Sequence, residues 1–446
     1  MNSTIVRGRH VLTMTGDDLT DGAVRIVDGI IYDVAPYAEL AARHPGDDVS
    51  GGAEDIVVPG FVNAHGHFSE ALVAGMAEDR TLFEWLDCLI APIAGHLTRP
   101  MAYVGTLLAA VQQLESGITT TNDMFVCDPP DGPVTPEVVT ALDEVNLRAV
   151  VSFGATDRRG VPVGRLIEEH RALAEAAAAS RMTSFRLGIA TVGAQSPKLL
   201  QGGLDLADEL RCGVHLHLHE VREEVIESRR ETGLSPIERC AEAGVFEHPT
   251  VAAHAVWLSD RDRQILVDAD VGVAHNPVSN MILGSGICPV ADLRRHGLAV
   301  GIGVDGAASN DSQNMLEAIK TTVLLQRAAT LSLDADARSA VAMATIEGAR
   351  ALGLESEIGS LERGKRADIV VFDGDSPALA NVHDPYQTIV YRASPRDIRE
   401  VWVGGRRSVA DGRVLTVDRA DVVRESRGLA RELARRSGLS GLSLLC

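Results

Sequence analysis

Short apolar runs alternate eight times with longer helix-patterned stretches through the middle of this chain. The runs are GFVNAHGHF, ITTTNDM, LRAVVSFGA, SFRLGIATV, GVHLHLH, TVAAHAV, VGVAHNP and AVGIGVDG. Between them lie stretches such as MAYVGTLLAAVQQLES, RLIEEHRALAEAAAAS and DSQNMLEAIKTTVLLQR. Eight β/α units over about 300 residues predict an α/β fold, a (β/α)8 TIM-like barrel spanning residues 58–356. A doubly wound open sheet is the competing arrangement, but no GxGxxG follows the first run.

The two ends of the chain read differently. STIVRG, GAVRIVDGIIYDVAP and DIVVPG within residues 1–57 are strand-like runs between Gly and Asp punctuation. The style returns after residue 357 in RADIVVFDG and IREVWVGGRRSVADGRVL. Residues 1–57 and 357–446 are therefore expected to join as one small β-sandwich domain. A helix with a cationic end is predicted over about 420–438. A chain of 446 residues suits a barrel-sized domain plus a smaller one. Aromatics make up only 4%, so aliphatic packing must dominate the core.

Composition narrows the partners. A net charge of −20 argues against nucleic acid or an anionic membrane surface, which both select clustered cations. Cys88, Cys127, Cys212, Cys240, Cys288 and Cys446 form no CxxC pair and no disulfide framework, which suits a reducing cytoplasm. The opening MNSTIVRGRHVLTM lacks a signal-peptide pattern, and no apolar run is long enough to span a bilayer.

In such a barrel the chemistry sits at the C-terminal ends of the strands. The polar residues that end these runs are His65 and His67 in the first, a histidine and then Glu220 in the fifth, His254 in the sixth, His275 in the seventh and Asp305 in the eighth. Strand alternation sends His65 and His67 to the same side, a good two-ligand chelate. In GVHLHLHE the same alternation puts His215, His217 and His219 on one face, opposite Val214, Leu216 and Leu218. His65, His67, one histidine of the fifth run and Asp305 would supply three nitrogens and one oxygen to one divalent metal. Zinc suits that set, and Fe2+ fits as well. Such a metal brings the pKa of bound water towards about 7. Glu220 is placed to carry a proton from water to a leaving group. His254 would polarise the substrate or hold the hydroxide, and Asp305 would also accept a proton.

PGFVNAHGHF, HLHLHE, TVAAHAVWLSD, AHNPVSNMILGSGICPV and GVDGAASNDSQNMLEAIK resemble the amidohydrolase superfamily. More closely, they resemble its branch of aromatic-heterocycle deaminases and triazine hydrolases, which includes cytosine, guanine, 8-oxoguanine and S-adenosylhomocysteine deaminases. The stretch from TLFEWLDCLIAPIAG to ITTTNDM is similar to the segment between strands one and two of the nucleoside deaminases. The resemblance implies His-x-x-Glu at strand five, and only His217 stands three before Glu220. It thus implies His65, His67, His217 and Asp305 as ligands and His254 as a catalytic residue. His215 is then expected to be a hydrogen-bonded residue one layer deeper, and His219 to lie at the pocket rim. Binuclear members carry a carbamylated lysine on strand four. SFRLGIATV has none, and Lys198 lies beyond it, which implies one metal per chain.

Substrate contacts follow the same likeness. Glu84 and Trp85 resemble residues lining a nucleoside pocket, and His275 is counted with them. Gln195 stands where relatives acting on adenine nucleosides carry a histidine, and Phe153 where they carry an arginine. Both departures argue against S-adenosylhomocysteine as substrate. Gln195 offers both donor and acceptor and is the expected specificity residue. VREEVIESRRE is read as a solvated helix face, and His170 among other isolated histidines as structural or surface.

The expected activity is hydrolytic deamination of a small aromatic N-heterocycle (purine, nucleoside, pterin or pyrimidine) by a homodimer or higher oligomer. Two alternatives differ in kind. One removes another group, chloride, alkylamine or alkylthio, from a triazine-like ring or opens a cyclic amide. The other is a non-catalytic metal-binding relative, which a broken ligand set would mark; here the set is complete.

Overall fold

The computed structural model describes residues 3–128 and 132–439, so Cys446 lies outside the described residues. All eight runs form strands. Strands β1 (Ser3–Val11), β2 (Leu19–Val27), β3 (Ile30–Pro36), β4 (Asp48–Ser50) and β5 (Ile56–Pro59) come first. There follow β6 (Phe61–His67), β7 (Ile118–Phe125), β8 (Arg148–Phe153), β9 (Thr183–Phe185), β10 (Leu187–Ile189), β11 (Val214–Leu218), β12 (Thr250–His254), β13 (Gly272–His275), β14 (Val300–Ile302) and β15 (Asp305–Gly306). The chain closes with β16 (Ile369–Phe372), β17 (Ile398–Val403), β18 (Arg406–Ala410) and β19 (Arg413–Val414).

The middle strands form two five-stranded parallel sheets, β15-β6-β7-β8-β9 and β10-β11-β12-β13-β14. The fourth and eighth runs each break into two pieces, and the pieces join the sheets. At the first seam the Arg186 N–H donates to Val151 O of β8, and the next N–H, of Leu187, to Gly213 O ahead of β11. At the second, the Gly303 N–H donates to His275 O of β13 and the Val304 N–H to Asn63 Oδ1 of β6. The two sheets therefore adjoin at both seams. Long helices lie between them, including Arg99–Glu115, Val163–Ala179 and Met315–Thr330. Their buried aliphatic residues pack with Phe125, Phe153, Leu187, Leu216 and Ile302 of the strands in one large core.

Strands from both ends of the chain meet in a third, nine-stranded sheet of order β19-β18-β17-β16-β5-β1-β2-β3, with β4 paired to β1. Alternation divides its faces. Val57, Ile369 and Val371 join Val6, Val24 and Ile31 in a cluster of their own, while Ile56, Val58, Val370 and Phe372 belong to the large core. A buried bidentate pair, Arg148 with Asp368 at 3.1 and 3.2 Å, ties the start of β8 to the residue before β16. The last helix, Arg419–Arg436, has an Asp418 N-cap and ends on Arg435 and Arg436, charges that suit its dipole. Among the described residues no helix is long and apolar enough to cross a membrane.

Candidate active site

Register brings the strand ends level. Asp305 pairs with Gly66, between His65 and His67, and Leu218 pairs with His254. His67 Nε2 lies 3.0 Å from His217 Nε2. Asp305 Oδ1 lies 3.4 Å from the Nε2 atoms of both His65 and His67. The ring nitrogens of His65, His67 and His217 fall within 4.8 Å of one another, as do the ligand atoms of His65, His254 and Asp305.

These residues fit a divalent cation. His67 Nδ1 donates to Met124 O at 2.6 Å and His217 Nδ1 to Ala190 O at 2.7 Å. A neutral imidazole has one N–H, so both Nε2 atoms carry lone pairs, and these face each other. His65 Nε2 is buried without a hydrogen-bond partner. Burial lowers all three rings, His65 to about 4, so they are neutral at pH 7 and each has a lone pair to offer a cation. Asp305 is held well below the ordinary carboxyl range despite its burial, by charge coupling with the neighbouring imidazoles, of which His254 is the one whose own proton affinity is raised. Three imidazoles and one carboxylate with a cavity in front are the donor set that an open site for a divalent cation would need.

A second cluster faces the first. His254 Nε2 lies 3.5 Å from Glu220 Oε2 and 3.9 Å from Asp305 Oδ2. His254 Nδ1 is bonded to Asn280 Oδ1 at 2.8 Å, and Ser285 Oγ donates to Glu220 Oε1 at 3.2 Å. Burial raises Glu220, and the Asp305 charge adds to it. Burial would lower His254, but the carboxylates of Glu220 and Asp305 outweigh it and raise the ring. A carboxylate with raised proton affinity beside an imidazole with raised proton affinity is an arrangement that can pass a proton. The backbone is unusual at these strand ends: His254 and Ala255 take φ of 77° and 47°, and Asp305 takes 57°.

A cavity of about 580 Å³ opens above both clusters, touching His67, His217, Glu220, His254 and Asp305. Leu82, Phe83, Trp85, Leu86 and Ile90 form an apolar wall. Trp85 is buried and its Nε1 donates to Ala308 O at 3.1 Å. Arg158 and Arg159 also line the cavity, and Arg159 is paired with Asp128 at 2.8 Å.

Three expected substrate contacts do not line this cavity. Glu84 spends its carboxylate capping its own helix, accepting from Thr81 N at 3.0 Å and Thr81 Oγ1 at 2.8 Å. Gln195 is buried with its amide donating to Ala155 O at 3.0 Å. His275 is fully buried, has no partner on either ring nitrogen, and is lowered by burial to about 3. His219 is also not at the rim. The strand ends at Leu218, and a φ of 53° turns the ring inward, where Nδ1 bonds Trp257 O at 2.8 Å.

Other residues went unread in the sequence. Glu70, buried three residues after His67, lines the cavity and accepts from Ala308 N at 3.0 Å and Ser309 Oγ at 3.2 Å. The run read as a solvated face, helix Arg222–Thr232, instead turns Glu224, Glu227, Ser228 and Glu231 to the cavity. Burial, with Glu220 nearby, pushes Glu224 up to about 8. The signal for both was spacing from a named residue: His67 plus three, Glu220 plus four.

The amidohydrolase family profile matches residues 56–408, and the chain belongs to that family. A 5-methylthioadenosine/S-adenosylhomocysteine deaminase of Symbiobacterium thermophilum is 39% identical over 98% of this chain and 100% of its own length. A 5'-deoxyadenosine deaminase of Methanothermobacter thermautotrophicus is 35% identical over 97% of this chain and 99% of its own length. Among solved structures, an adenosine deaminase from Xanthomonas campestris with bound zinc is 27% identical, covers 98% of each chain and has a TM-score of 0.89.

Proposed function

We propose that this protein is a metal-dependent hydrolase that removes the 6-amino group of an adenosine-type nucleoside and releases ammonia. The observation that carries this reading is that two groups of atoms able to hold a cation, His65/His67/His217 and His65/His254/Asp305, meet at His65 with Glu220 beside His254 under one cavity. Whole-length relatives named as deaminases of such nucleosides support it. We take His65, His67, His217 and Asp305 to hold one zinc ion, which when bound activates water as the nucleophile. Glu220 accepts the proton of that water and passes it to the departing nitrogen. His254 steadies the charge that develops beside it, and Asp305 Oδ2, held by Ser279 Oγ at 2.6 Å, takes the second proton of the same water and returns it to the ring nitrogen N1 as the bond from C6 to the amino nitrogen breaks. Trp85 and the apolar wall take the face of the purine.

The objection to S-adenosylhomocysteine loses its footing. Gln195 and Phe153 are both buried off the cavity, so neither selects against it there. On this reading the two adjoining parallel sheets form the (β/α)8 barrel, and the nine-stranded sheet folds as its β-sandwich companion. The described thiols Cys88, Cys127, Cys212, Cys240 and Cys288 are free, in keeping with a reducing cytoplasm. The test is ammonia release from zinc-loaded protein against aminated purines, nucleosides, pterins, pyrimidines and triazines. Ammonia from 6-aminopurine nucleosides above the other classes is the expected result. No ammonia from any class, with one metal bound per chain, overturns the deaminase reading and turns the search to other leaving groups.

A further inference from the structure

β11 carries a histidine that neither ligates nor touches the cavity. His215 is fully buried two residues below His217. Its Nε2 lies 2.8 Å from His65 Nδ1, and its Nδ1 lies 3.0 Å from Ser152 Oγ. Ser152 Oγ in turn donates to Asp123 O at 2.8 Å.

The direction of every bond in this chain follows from counting hydrogens. A serine hydroxyl has one, and it is committed to Asp123 O. Ser152 Oγ can then only accept, so His215 Nδ1 carries that ring's N–H. His215 Nε2 is left bare and accepts from His65 Nδ1–H. His65 Nε2 is therefore the lone-pair nitrogen, and it is the one that faces Asp305 at 3.4 Å.

We propose that His215, backed by Ser152, is a positioning residue that fixes the tautomer and ring orientation of His65 for metal binding. The proposal rests on His65 being a ligand. The other two histidine ligands do not need such a device. His67 and His217 donate to the main-chain carbonyls of Met124 and Ala190, which can only accept. A histidine can present either role. If His215 carried its hydrogen on Nε2, His65 would have to accept at Nδ1 and would turn an N–H towards the metal. Ser152 removes that option. Its hydroxyl sets the state of a ligand to which it makes no hydrogen bond of its own. Outer partners of this kind are worth about 10–100-fold in metal affinity.

The test measures zinc affinity of the full-length protein by competition with a chromophoric chelator, with unfolding midpoints of the zinc-free proteins recorded alongside. His215→Leu, which removes the acceptor, weakens zinc binding by about 10–100-fold. His215→Gln, which keeps an acceptor at the end of the side chain, recovers most of that loss. Ser152→Ala leaves His215 free to choose its tautomer and gives an intermediate loss. Equal affinity across the variants overturns the proposal, as does an equal loss in His215→Leu and His215→Gln. If His215→Leu does not fold, Ser152→Ala decides, and unchanged affinity there refutes the relay. His65→Ala separates the two levels of inference. If it binds zinc normally, the ligand reading itself fails. If it loses zinc while His215→Leu does not, only the relay fails.

Discussion

Gly306 has no room for a side chain, and the three atoms nearest to one all belong to a single residue. A Cβ built there would lie 1.8 Å from Glu70 Oε2 and 2.1 Å from its Cδ. Gly306→Ala must therefore push the Glu70 carboxyl aside. That carboxyl accepts from Ala308 N and Ser309 Oγ, and both donors are buried. Stripping a buried N–H of its acceptor costs about 1–3 kcal/mol, and the second bond adds about 1 kcal/mol. The expected loss is about 2–4 kcal/mol. Glu70→Ala loses the same bonds but opens the space. In that background Gly306→Ala is expected to cost under about 1 kcal/mol, a strong negative departure from additivity. Urea unfolding of the four proteins at one fixed zinc concentration measures the cycle. An equal cost of Gly306→Ala in both backgrounds refutes the reasoning, since the clash would then lie with the main chain.

Two further predictions concern stability. His170 is buried against Phe153 and Phe185, and burial lowers it to about 3. The unfolded chain then binds the extra proton below about 6.5, so stability falls as pH drops. Between pH 7 and pH 5 this group removes about 2 kcal/mol, and His170→Leu shows a correspondingly flatter dependence of its unfolding midpoint. An unchanged slope counts against the assignment. Arg148→Met leaves Asp368 buried without its cation and is expected to cost about 3–5 kcal/mol in denaturant unfolding. Activity per folded molecule stays within about twofold, because the pair lies at the start of β8, away from the strand ends that carry the site. A loss below about 1 kcal/mol contradicts it.

Much of the site was legible because strand alternation is a rigid rule. His65 and His67 point the same way because β6 stays extended through both, and His217 follows because β11 does. The rule failed one residue later. Nothing in HLHLHE marks the end of β11 at Leu218 or the left-handed turn that takes His219 out of the row. The breaks after Phe185 and Ile302 were equally silent, since SFRLGIATV and AVGIGVDG read as continuous runs. Glu84 was misplaced for a different reason. Thr81 and Glu84 have the spacing of a capping box, and local bonding won the carboxylate before any substrate could. The helix Arg222–Thr232 shows the limit of charge patterning. Glu224, Glu227, Ser228 and Glu231 form one helical face, and a face turned to a wet cavity has the same composition as one turned to solvent. Which face meets the cavity depends on how the helix is set against β11, a tertiary fact.

The most direct test of the account is the kinetic effect of Glu220→Gln on ammonia release from an adenosine-type nucleoside, with zinc content measured on the same samples. Glu220 lies outside the proposed ligand set but within reach of His254. The account predicts a fall in kcat/KM of about 10²–10⁴-fold with zinc unchanged at one per chain. A variant that keeps its zinc and more than about a tenth of its activity would show that the proton moves by another route.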